Sequence, residues 1–218
     1  MTNNIELKFK LLSEFCTLDN SIEFCRQAYS FLMEDDAHGH TMPPQTPSQS
    51  YRQNGIYLIY EDGSEELFNG QNKLDGVTNV AFKFGPVALK LHSEDIVCSI
   101  KCDEKDDEEE YVTTCDDAVN DYNGAENTAD MLSRGLSVEL PENMFIPSLG
   151  QLYIMYPLKD KLNEALEYIG HESIEDEWYW SSTEYSAARA WSLYFSFGGF
   201  HGTGGKVYEF RVRPVSAF

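Results

Sequence analysis

Basic residues are scarce in this chain: 16 Lys and Arg stand against 37 Asp and Glu, a formal net charge of −21 over 218 residues. Nonspecific contact with phosphates needs a cationic surface, so no nucleic-acid partner is expected. The same sign disfavours docking on an anionic bilayer. Long apolar runs are missing too. The amino terminus, MTNNIELKFKLLSEFC, alternates polar and apolar residues, so neither a signal peptide nor membrane insertion is expected. The chain is read as cytoplasmic when made, with association with a virion left open. Cysteines are few and odd in number, at 16, 25, 98, 102 and 115, with none beyond 115. An even-numbered secreted disulfide framework is not suggested. The Cys98–Cys102 spacing matches neither common zinc nor redox motifs, and reduced, half-buried thiols are expected. Tryptophan is absent before position 178.

What is present is unevenly placed. Asp103 to Glu110 holds seven acids and one Lys. Residues 178–218 carry Arg189, Lys206, Arg211 and Arg213 against Glu184 and Glu209, and hold 12 of the 29 aromatic residues. The last fifth of the chain is chemically distinct, and function is sought there. The net charge describes solubility rather than fold.

Along the chain, Ile5, Leu7, Phe9 and Leu11 alternate as in a strand, and Asn20 to Glu34 has helical spacing with Ser21 as a cap. His38-Gly39-His40 runs into a Pro/Gln/Ser linker, Pro43 to Ser50, and is read as a polar loop rather than a metal site. Residues 1–50 thus form a strand–helix extension and linker, and 51–218 the main domain. Gly55 to Tyr60 predicts a strand, Glu61 to Ser64 a turn, and the segments flanking Gly85 two more strands. The acidic run lacks the spaced ligands of a calcium loop and is read as solvated. Thr113 to Asp121 and Ala125 to Ser133 predict helices. Ser148 with Gln151 forms a capping box, and a helix from about Lys159 stops at Gly170. Trp191, Leu193 and Phe195 alternate with Ser192, Tyr194 and Ser196, predicting a strand with one buried and one exposed face. Gly198 to Gly205 reads as a glycine-dense loop, and Lys206 to Val215 as a terminal strand ended or edged by Pro214.

Ile146-Pro-Ser-Leu-Gly-Gln-Leu-Tyr153, Tyr179-Trp-Ser-Ser-Thr-Glu184, Ala190-Trp191-x-Leu193-x-Phe195 and Arg211-Val-Arg-Pro-Val-Ser-Ala-Phe218 resemble a family of bacterial and phage domains with a C-type-lectin-like fold. That family includes variable proteins diversified by diversity-generating retroelements. The resemblance covers roughly 55–218 and is strongest over 146–218. It implies an α+β, C-type-lectin-like domain behind a small N-terminal α/β extension, with C-terminal strands and loops displaying a recognition surface, variable over about 180–210. It further implies phage- or prophage-encoded attachment to a host or receptor.

Such diversification mutates template adenines, typically at Asn codons, which cannot become Lys, Glu, Gln, Met or Trp. The positions between family-fixed residues are Ser186, Ala187, Ala188, Arg189, Ser192, Tyr194, Ser196, Phe197, Gly199, Phe200, His201, Thr203, Val207 and Tyr208, with Gly202, Gly204, Gly205 and Phe210. None is a forbidden type, although 47 such residues in 218 predict about four among eighteen positions. Glu209 lies among them and departs from the rule. The first fourteen are the candidate ligand-binding residues. Tyr and Phe supply stiff contact area and Ser and Gly adaptable contacts. Tyr194, Phe197, Phe200, His201 and Tyr208 are the candidate anchors and Arg189 a directional donor. Trp180, Trp191, Arg211 and Arg213 are read as scaffold, the arginines bonding loop carbonyls.

A calcium-dependent sugar lectin needs more carboxylates than the two in residues 178–218. An enzyme resembling the formylglycine-generating oxidases needs C-terminal cysteines that are absent. No Ser/His/Asp arrangement is evident. No catalytic residue, metal or other cofactor is therefore expected, and the partner is an unknown protein or surface ligand, with self-association left open. The alternative is a cell-surface or structural interaction domain of the same fold without diversification. A glycan hydrolase would need a carboxylate pair near Glu184.

Overall fold

The alternation that predicts strands in Gly55 to Leu91 builds an antiparallel sheet. The computed structural model describes residues 52–107, 110–196 and 201–218. The readings of residues 1–50 fall outside these, as do Phe197, Gly199 and Phe200. Strands β1 (Gly55–Tyr60) and β2 (Glu65–Leu67) flank the expected turn. There the Asp62 carboxylate accepts from the Ser64 N–H at 2.9 Å and from its hydroxyl at 2.6 Å, the local bonding that makes Asp a turn former. Strands β3 (Val77–Phe84) and β4 (Val87–Leu91) lie on either side of Gly85. Register sets Ile56 against Phe82 and Phe82 against Leu89, and Leu58 against Val80. One face of the sheet is therefore continuously apolar, and all five side chains are buried. Each contributes about 1.5–3 kcal/mol of burial free energy.

A second sheet comprises β5 (Ile96–Cys98), β6 (Trp178–Ser186), β7 (Arg189–Tyr194), β8 (His201–Gly205) and β9 (Phe210–Val212). Its order is β5-β9-β6-β7-β8, with β6 and β9 parallel at Tyr179 and Arg211 and the other pairs antiparallel. The last strand, β10 (Val215–Ala217), leaves this sheet and pairs with β4, giving the first sheet the order β10-β4-β3-β1-β2.

Helices α1 (Cys115–Val119), α2 (Gly124–Ser133), α3 (Leu149–Met155) and α4 (Lys159–Tyr168) occupy the predicted stretches. Thr114 caps α1, its hydroxyl accepting from the Asp117 N–H at 3.2 Å. At the start of α3, Gln151 Oε1 accepts from the Ser148 N–H at 2.9 Å, while the Ser148 hydroxyl donates to the Asp121 carbonyl at 2.6 Å. Helix α4 stops where Gly170 turns left-handed at φ +77°, a conformation that Gly adopts without steric cost. Helix α4 packs on β1 and β3, α2 on β6, and α3 on β6 and β7. The chain is thus a mixed α+β protein over its described residues. None of the helices among them is long and apolar enough to cross a membrane.

Three expectations are corrected. The described part of the glycine-dense segment is not loop but β8, because Gly202, Gly204 and Gly205 pair with Ser192, Ala190 and Arg189. The single terminal strand is two strands in two sheets: Pro214, which has no N–H to donate, falls where the chain changes sheet. Strand β7 does not have one open face. Ser192, expected outside, is 1% exposed, because β7 is interior to the sheet and its small residues lie beneath tryptophans of β6.

Candidate functional site

Paired residues of an antiparallel ladder share a face, and this rule assembles an aromatic surface from four segments. Trp178 pairs with Tyr194, and Trp180 with Ser192, which in turn pairs with Gly202. Both indoles lean toward β8. A Cβ on Gly204 would stand 2.7 Å from the Trp180 ring and 2.9 Å from Phe210, while one on Gly202 would be 3.8 Å from Trp178. The glycines of β8 give the tryptophans a floor, which is a packing role rather than close approach of a ligand.

From buried Trp180 the rings run outward. Trp180 and Phe210 have centroids 4.5 Å apart, Phe210 and Trp178 5.9 Å, Trp178 and Tyr194 5.3 Å, and Phe210 and Tyr208 6.4 Å. Interplanar angles among these pairs lie between 23° and 33°, close to the offset-stacked arrangement that ring quadrupoles favour. The outer end is open: Tyr208 is 60% and Val207 63% exposed, in the turn that joins β8 to β9. Trp180 satisfies its indole N–H on the Cys98 carbonyl at 3.1 Å, and Trp191 on that of Val112 at 2.7 Å.

The predicted ligand residues therefore separate by position. Ala188, Arg189, Val207 and Tyr208 are exposed, while Ser186, Ala187, Tyr194, Ser196, His201 and Thr203 are half-buried. Arg189 donates to the Thr203 carbonyl at 2.7 Å, bracing β8. The Ser196 carbonyl accepts from the Tyr156 hydroxyl at 2.9 Å. The Ser192 hydroxyl donates to the Gly202 carbonyl at 3.2 Å, inside the sheet.

Residues 147–149 and 182–183 bond to one another across the fold. Pro147 accepts from the Ser182 N–H at 3.0 Å, and the Thr183 hydroxyl accepts from the Leu149 N–H at 2.9 Å while donating to Asp121 at 2.7 Å. Asp95 gathers Arg213 at 2.5 Å, Arg211 at 3.5 Å and the Tyr179 hydroxyl. Arg213 also donates to the carbonyls of His92, Glu172 and Ser173, the loop-fastening role expected of it.

Glu184 is 4% exposed, and each of its oxygens is taken by a cation, Oε1 by Lys206 and Oε2 by Arg134. Lys105 stands 3.9 Å from it and 3.5 Å from Asp130, which Arg134 also binds at 2.7 Å. The Arg134 hydrogen bond holds the Asp130 carboxyl below the usual carboxylate range. Asp130 and Glu184 thus meet through shared cations. Lys206, 2% exposed, also donates to the Ala187 carbonyl at 2.9 Å. It ties the turn carrying Val207 and Tyr208 to the interior.

A separate grouping escaped the sequence. His201 of β8 meets Cys115 of α1, with Nε2 and Sγ 2.9 Å apart, and its Nδ1 meets the Tyr153 hydroxyl of α3. The rings of Tyr153 and Trp191 lie 5.5 and 6.0 Å from the imidazole. The three residues are 38 and 48 positions apart in sequence, and no short spacing announces them. Among the described residues no group of three or more His, Cys, Asp or Glu could hold a metal ion.

No protein-family description and no curated protein matches the sequence. Among solved structures, the chain is similar to a fimbrial protein from Bacteroides ovatus, with a TM-score of 0.57 at 17% identity. The likeness covers 77% of this chain and 49% of that one, so the chain spans about half the length of that protein. At this identity the likeness speaks to fold.

Proposed function

We propose that the chain is a recognition protein of the surface-adhesion type, binding a partner through the outer end of its second sheet, with no catalytic turnover. The observation that carries this reading is the aromatic run from Trp178 and Phe210 to Tyr194 and Tyr208, ending in exposed Val207 and Tyr208. Clustered aromatic residues are enriched at the energetic centres of interfaces. The near-neutral character of this region within an acidic chain argues that the partner need not be basic. Likeness to a fimbrial protein supports a surface role, and the Tyr179-to-Phe218 motifs support a C-type-lectin-like fold.

Within that reading, the outer positions are diversified by a retroelement, and Ala187, Ala188, Arg189, Tyr194, Val207 and Tyr208 are the ones able to change without disturbing the interior. Ser192 and His201 favour the second reading, an undiversified interaction domain of the same fold, because their side chains are engaged within the protein. Sequencing around the gene separates the two. A reverse transcriptase beside a near-copy of the 3′ coding end with adenine-only mismatches supports diversification, and absence of both removes it. For binding itself, Tyr208→Ala and Val207→Ser should abolish adhesion to cells that capture the wild type, with unfolding midpoints unchanged. Adhesion undiminished in both would refute the site.

A further inference from the structure

We infer that Cys115 is a built thiol-modification site, which exchanges with small disulfides using His201 as its base, and that the adduct disturbs the β8 edge. Three side chains from α1, α3 and β8 converge there: the Cys115 thiol, the His201 imidazole 2.9 Å from it, and the Tyr153 hydroxyl on the far ring nitrogen. This is a nucleophile held by a base that is held by a third group. The Nδ1 proton is assigned to the contact with Tyr153, which leaves Nε2 to accept the proton of the thiol.

Burial, and then the neighbouring Asp116, push the Cys115 thiol up, so it does not ionise unaided near neutrality. Burial lowers the proton affinity of the imidazole, so it stays neutral and takes the proton only as the sulfur attacks. The pair thus supplies the general base that the thiol lacks.

In the exchange, Sγ attacks one sulfur of the disulfide while Nε2 takes the thiol proton. A new S–S bond forms, the original one breaks, and the departing thiolate receives that proton. Cys115 is oxidised to a mixed disulfide, and one equivalent of thiol is released. The adduct replaces the Cys115–His201 hydrogen bond with a bulky group beneath β8, the strand adjoining the turn that carries Val207 and Tyr208. The consequence for binding rests on the function proposed above, whereas the chemistry does not.

Site-resolved mass spectrometry of the reduced full chain treated with oxidised glutathione tests this at neutral pH. Cys98 and Cys102 serve as internal standards, the first pushed up to about 11 by burial and Glu209. Cys115 should acquire glutathione at least roughly tenfold faster than either, and His201→Gln should slow it by a similar factor. Equal rates at the three sites in the wild type, or no slowing in a folded His201→Gln variant, would overturn the proposal. The wild-type comparison decides alone if the variant does not fold. Adhesion measured before and after modification tests the link to recognition separately.

Discussion

At the scale of single residues, the most consequential placement is that of Glu184 among three cations. In sequence it is one of two acids in the last 41 residues. In the fold it is the anion on which Arg134 and Lys206 converge, with Lys105 nearby. Removing one partner of a buried pair leaves an uncompensated charge at a cost of about 3–5 kcal/mol. Glu184→Gln should therefore destabilise by about that much in urea titrations. Lys206→Met should cost less, because Arg134 and Lys105 still neutralise Glu184; the reverse order would argue against this ion cluster.

Two histidines contribute to the response to acid. Burial, then Arg213 and His92, lower the affinity of His171 for a proton, and burial does the same for His201. The unfolded chain therefore binds protons first as pH falls, so stability is fully present above about 6.5 and declines below it. His171→Gln should flatten that decline when midpoints are compared at pH 7 and pH 5.5, and an unchanged slope would show that other groups govern it.

At the scale of elements, local chemistry was readable wherever it is self-contained. The Asp62 turn, the Ser148–Gln151 pairing and the Gly170 stop each depend on residues within four positions of one another. The β8 segment misled because glycine density resembles a loop in sequence. Here it answers to tryptophans two strands away, which no local pattern reports. Gly204→Ala should cost about 1–3 kcal/mol through the clash with Trp180 and Phe210. Gly202→Ala, with its nearest neighbour at 3.8 Å, should be neutral or slightly stabilising through reduced freedom of the unfolded chain. Thermal unfolding of the two variants distinguishes them, and equal losses would contradict the floor described for the indoles.

At the scale of the whole molecule, the carboxyl terminus holds the two sheets in one structure. Strand β10 pairs with β4, Val215 bridges Phe145, and Phe218 lies against Tyr57 with ring centroids 5.3 Å apart. A chain ending at Pro214 would uncover Leu89 and Leu91, which are buried in the intact protein. It should lose cooperative unfolding monitored by near-UV circular dichroism; a sharp, wild-type transition would show the strand to be dispensable. Recognition belongs to this scale as well, since the aromatic run draws on β6, β7, β9 and the turn before it.

By itself the sequence determined the α+β class, most element positions, the aromatic weighting of the last fifth and the scaffold role of Arg213. Those properties follow from periodicity, capping and residue type, which act over a few positions. Only the tertiary structure decided which of the candidate binding residues face outward, that the β8 glycines serve packing, and that Cys115, Tyr153 and His201 meet. Burial and side-chain proximity depend on strand order and register, and those are settled by contacts between residues that the chain itself keeps far apart.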